Sequence, residues 1–165
     1  MPILGAQTGP RFEYMYFKSL GASTIDINQY NSGAKIVGKT TETAAWESDN
    51  IKKSSDAFSY DASTGKYTLP KGLYLINMHL TVRCEGSAQQ YVRVSLESDT
   101  YGQIMNELHE LSSAQNTSYC CLVFNFMEAL EASSDYYFKC GSQSNGKSEI
   151  WGNAAANSLS FLKLD

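Results

Sequence analysis

The chain has 165 residues, a formal net charge of −4 and only 18% charged side chains. That is enough chain for one domain with its own core, and the acidic balance leaves no broad basic face for nucleic acid. No run of 18 apolar residues is present, so no helical membrane span is expected, and the high aromatic content, with 11 tyrosines, favours a β-rich domain over a helical one.

Residues 1–7 lack the basic and apolar regions of a secretory leader. The protein is expected to stay in the host cytoplasm where it is made or to leave it by assembly or lysis, the remaining alternative being a leader already removed. Phe12, Tyr14, Tyr16 and Phe17 follow as an aromatic cluster, and the polar stretch to Gly33 has no clear period. Two readings stand: an arm that docks on another protein, or the first edge strand of the same domain. We take 1–35 as an attachment segment and 36–165 as the domain.

Residues 36–46 form a moderate strand candidate. Asp61, Ser63, Thr64 and Gly65 are turn formers, 67–69 a short strand, and Pro70 to Gly72 a break. Tyr74, Ile76, Met78, Leu80, Val82 and Cys84 then alternate with Asn77, His79, Thr81 and Arg83, a period of two that no helix can use. In 91–96, Val92, Val94 and Leu96 share a face. Residues 102–111 fit strand or helix spacing through Ile104, Leu108 and Leu111; the strand-rich surroundings favour strand. Residues 117–126, 135–140 and 158–164 complete a series of at least eight short strands separated by Gly, Ser and Asn turns. The expected fold class is all-β, a jelly-roll β-sandwich.

Two strands are apolar on both faces. In 119–126, Tyr119, Cys121 and Val123 oppose Cys120, Leu122, Phe124 and Phe126; in the last strand, Leu159 and Phe161 oppose Leu162 and Leu164. A sandwich strand buries one face, so the second needs a cover, either another subunit or a segment of the same chain. Leu122, Phe124, Phe126, Leu159 and Phe161 are the candidates for core or subunit contact.

The run Phe58, Tyr60-Asp61, Thr64-Gly65, Tyr67-Thr68, Pro70, Gly72 and Tyr74 resembles the opening of the complement globular-head domain, the trimeric jelly roll shared with tumour necrosis factor. In order, 91–96 resembles the next core strand, 130–138 the Leu-x-x-Gly-Asp-x-Val segment, and 158–162 the closing strand. Ser134 and Phe161 stand where that family has glycine. The resemblance covers about residues 40–165 and implies a homotrimer. It carries no function by itself.

Catalytic motifs are lacking, and no enzyme activity, cofactor or metal site is expected. His109 lies between Glu107 and Glu110, but in a strand Glu110 points away from the other two, which suits a solvated edge. Asn116-Thr117-Ser118 fits a glycosylation sequon that the expected cytoplasmic route would leave unused. Cys84, Cys120, Cys121 and Cys140 sit in strand-like runs, as buried free thiols do. Tyr101 and Trp151 are candidates for a ligand loop around 99–101 and 143–151, with Trp151 also suited to a core or trimer seam. The composite expectation is a virion protein: a trimeric capsid decoration or head-fibre protein docking on the major capsid or another virion protein through Phe12, Tyr14, Tyr16 and Phe17. The alternatives are the receptor-binding tip of a viral fibre, reading a cell-surface glycan, and a secreted complement-like ligand.

Overall fold

The 14-residue strand β7 (Gly72–Glu85) is the spine of the molecule. The computed structural model describes residues 12–21, 24–27, 34–85, 90–111, 118–143, 147–152 and 157–165. The period of two places Tyr74, Ile76, Met78, Leu80 and Val82 inward, each fully buried. Along one side β7 pairs antiparallel with β10 (Ser118–Leu130) over its whole described length. Along the other it pairs first with β13 (Ser158–Lys163) and then with β12 (Lys147–Trp151). The change of partner is bridged by buried Asn157. Its Oδ1 accepts from the Thr81 N–H at 2.7 Å, and its Nδ2 donates to the Trp151 carbonyl at 2.6 Å. The sheet continues from β13 through β1 (Glu13–Lys18) to β4 (Lys52–Lys53), and from β12 to β2 (Thr24–Asp26).

The second sheet runs β5 (Ser59–Asp61), β6 (Lys66–Leu69), β11 (Ser133–Gln143), β8 (Gln90–Ser98) and β9 (Gly102–Leu111), with β3 (Lys35–Ile36) beside β11. All described ladders are antiparallel, and a single 3-10 turn at Ser48–Asn50 is the only helical element among the described residues. The side chains of both inner faces interdigitate, as sheet-on-sheet packing requires. Tyr67 is the hub. Its ring lies 5.3 Å from those of Phe17, Tyr60 and Phe161, and its hydroxyl accepts from Trp46 Nε1 at 2.7 Å. Burial pushes the Tyr67 hydroxyl pKa well above the usual tyrosine range, so it stays a neutral partner.

Three expectations are corrected. Residues 36–46 do not form a strand beyond Ile36: Val37 to Thr43 turn, with Gly38 at φ +86°. Polar side chains hold that turn, since Glu42 accepts from the Ile36 N–H at 2.7 Å and Thr43 Oγ1 from the Gly38 N–H at 2.6 Å, competing with a ladder. Second, the described part of 1–35 is woven into the sandwich. β1 lies between β13 and β4, and Met15 and Phe17 are fully buried. Phe17 is a core residue and not part of an exposed arm; burying a side chain of that size stabilises by roughly 2–3 kcal/mol. Residues 1–11 lie outside the described residues. Third, Trp151 closes β12 and is not in a loop.

Candidate functional site

β10 alternates cleanly. Leu122 and Phe124 point between the sheets and are buried, and Phe126 is half-buried against Phe138 at a ring distance of 6.4 Å. Leu159 and Phe161 of β13 are fully buried in the same core. These five residues therefore take the core half of their expected role. Tyr119, Val123 and Met127 point out and are 55%, 41% and 61% exposed.

Strand register extends that outer face across four strands. Met127 stands beside Leu75, Leu75 beside Leu162, and Leu162 beside Tyr14, giving one apolar row. The next row is Asn125, Asn77, Ser160 and Tyr16, where Asn77 Nδ2 donates to Ser160 Oγ at 3.3 Å. Val123, His79, Ser158 and Lys18 form a third, and Cys121 lies beside Thr81. At the far end Tyr119 pairs with Arg83, which meets Glu149 at 3.3 Å. Of these rows, the first three and the Cys121–Thr81 pair contain no carboxylate, although the chain has 17 acidic residues, and their one permanently charged side chain is Lys18 at the margin. An outward sheet face in contact only with water is normally studded with charge. Tyr14 and Tyr16 belong to this face through the alternation of β1, and Phe12, 57% exposed, extends it past the strand end. Phe12, Tyr14 and Tyr16, three of the four residues read as an attachment element, thus form one surface with the odd-numbered face of β10. Leu75 was not singled out in the sequence; its place between Leu162 and Met127 is a register property that one strand's pattern does not reveal.

The remaining candidates fall apart in space. Trp151 is half-buried, its ring edge-on to Tyr119 at 5.1 Å. Tyr101, 49% exposed, sits at one end of the sandwich, parallel to Tyr136 with ring centres 6.4 Å apart. His109 and Glu107 share a face as the strand reading requires, with Nε2 3.4 Å from Oε2. The imidazole is not simply solvated, because it packs edge-on to Phe124 at 4.4 Å. Among the described residues, no three His, Cys, Asp or Glu side chains are grouped to hold a metal ion. Cys140 is buried, and burial raises its thiol pKa to about 12, whereas Cys121 is exposed on the outer face, a correction to its expected burial. The side chains of Cys84 and Cys120, and the sequon residues Asn116 and Thr117, lie outside the described residues.

No protein-family model matches the chain, and no curated protein sequence does either. Solved structures do match. The Eiger tumour necrosis factor of S. frugiperda covers 93% of this chain and is itself covered over 93%, with a TM-score of 0.57 at 9% identity. Murine APRIL, solved at pH 5.0, covers 93% of this chain and is covered over 100%, with a TM-score of 0.56 at 11% identity. At such identities the likeness shows the fold alone: the chain is an all-β jelly-roll sandwich of the tumour necrosis factor type.

Proposed function

We propose that this chain is a non-enzymatic structural protein that works as a homotrimer, assembled through the outer face of β10, β7, β13 and β1. The observation that carries the reading is the carboxylate-free, partly apolar character of three rows of that face. Around a threefold axis the same side chains of three copies converge, so a charged face there repels itself, and a net charge of −4 makes such repulsion the default over most of the protein. This face is spared. Its apolar row supplies the burial, and its amide and hydroxyl row supplies hydrogen-bond partners that fix register.

The assembly to which we assign the trimer is a virus particle, as a capsid decoration or head-fibre protein. The support for this is narrower: Phe12 carries the aromatic patch past the end of β1, to a margin that a capsid protein can reach. Light scattering should give about three times 18.2 kDa. A clean monomer at high micromolar concentration would remove the assembly reading. Deleting residues 1–20 would remove β1 from between β13 and β4, with its buried Met15 and Phe17, so the informative variant for attachment is Phe12→Asp. It should abolish binding to purified particles while the trimer mass is unchanged. Wild-type trimer that fails to bind particles would reject the virion placement and leave the trimer standing.

A further inference from the structure

The end of the sandwich away from the Tyr119–Trp151 contact carries an aromatic platform on the second sheet. Tyr101 lies in the tight turn between β8 and β9, where Gly102 takes φ +74°. An exposed tyrosine on a turn is ordinarily mobile, but this turn is fixed by one carboxylate. Asp135 accepts from Ser98 Oγ at 2.6 Å, from Thr100 Oγ1 at 2.6 Å and from the Thr100 N–H at 2.9 Å, and also from the Ser133 hydroxyl. Ser98 Oγ in turn accepts from the Tyr101 N–H at 3.2 Å. Tyr136, against which Tyr101 lies, is buried, with its hydroxyl donating to the Glu131 carbonyl at 2.6 Å. The platform is therefore held in place before anything binds, which lowers the entropic cost of binding.

Beside the platform is an open hollow of about 180 Å³, floored by Ile104, Ala129 and Leu130 and rimmed by Glu131. A second, of about 140 Å³, shares Ala129, Leu130 and Glu131 and continues past Lys71 to Asp165. Across the rim, Lys71 Nζ and Glu131 Oε1 are 2.9 Å apart in an exposed ion pair. The groove thus offers one aromatic flank, an apolar floor, and both donors and acceptors at its edge.

We infer that this groove is a binding site for a short saccharide, one ring lying against Tyr101 in the first hollow and the next reaching the Lys71–Asp165 hollow. A pyranose has an apolar C–H face for the tyrosine and a perimeter of hydroxyls for the Glu131 carboxylate and the Lys71 ammonium. A purely apolar ligand would leave that ion pair partly desolvated, at a cost. The site is separate from Trp151, whose edge-on contact with Tyr119 leaves it half-buried at the far end of the molecule.

The test is NMR titration of the full chain with lactose, maltose and chitobiose, each to roughly 50 mM. A ligand of this size with a shallow site binds with a dissociation constant on the order of 1–10 mM. At least one of the three should shift the amides of Tyr101, Leu130 and Glu131 in a saturable way. Tyr101→Ala should weaken that binding about tenfold or more, Tyr101→Phe should retain it, and Ala129→Trp, which fills the hollow, should block it. No shift with any of the three, or Tyr101→Ala binding like the wild type, overturns the proposal.

Discussion

The two faces of β10 are both apolar in sequence, yet they meet different fates. Leu122 and Phe124 are sealed between the sheets, while Val123 and Met127 remain open to solvent beside Leu75 and His79. The inner face maintains the fold and the outer face is the one proposed for assembly, so the same kind of substitution should have opposite consequences on adjacent residues. Phe124→Ala removes a fully enclosed ring that touches His109 at 4.4 Å. It should cost about 3–5 kcal/mol of stability, seen as a large fall in the urea midpoint. Val123→Glu, one residue away, should change the stability of the isolated subunit by no more than about 0.5 kcal/mol. Its effect should appear in the mass, with the trimer falling to 18.2 kDa because each copy brings a carboxylate to rows that otherwise have none. If Val123→Glu leaves the trimer intact, the outer face is not the contact.

The distinction sharpens with a residue that belongs to neither face. Asp135 holds the Tyr101 turn. Burial alone would raise its pKa, but hydrogen bonds from Ser133, Ser98 and Thr100 outweigh that and lower it from 3.8 to about 2. A depressed carboxylate stabilises the folded state above the unfolded value, and that stability disappears as pH falls through the folded value. The contribution should therefore be complete above about pH 4 and fade towards pH 2. Asp135→Asn should lower stability by about 1 kcal/mol near neutrality, the full shift being discounted for solvent screening, and should flatten the acid limb between those values. The trimer mass should not change. A loss of assembly in this variant would mean that the end of the sandwich and the sheet face are coupled.

How much of this was legible in the sequence depends on where each strand lies. β7 could be read residue by residue because its inward positions are apolar while His79, Thr81 and Arg83 mark the other side. β10 could be found as a strand, but its inward face could not be chosen, because Phe124 and Val123 satisfy the same criterion. The choice is made by register with β7: even-numbered β10 residues stand opposite Met78 and Ile76. β1 was hidden by its tyrosines. Tyr14 and Tyr16 resemble part of one cluster with Phe17, yet Met15, Phe17 and Leu20 are the residues that are buried, with Tyr14 and Tyr16, on either side of Met15, turned outward. β9 gave a blurred pattern because it is a sheet edge: Ile104 is half-buried, Leu108 is 53% exposed, and Glu107 and His109 occupy places facing the core at its open side. The saccharide groove had only Tyr101 as a trace, because Leu130, Glu131 and Lys71 come from two other turns and meet only in the folded chain.

The smallest perturbation of the comparison uses the cysteines, which report on the two faces without altering either. Cys140 lies in the core, and burial raises its thiol pKa to about 12, so it offers almost no thiolate to a reagent near neutrality. Cys121 points outward from β10 beside Thr81, in the middle of the proposed contact. In the isolated subunit it should react readily with a bulky maleimide, and Cys140 should not until the protein unfolds. In the trimer, Cys121 should become protected as well. Peptide mapping of labelled protein across a dilution series should show its labelling rise as the mass falls from trimer to monomer, and Val123→Glu should label at the monomer rate at every concentration. Equal labelling of Cys121 in trimer and monomer would place the contact on some other surface, even with the mass of three chains confirmed.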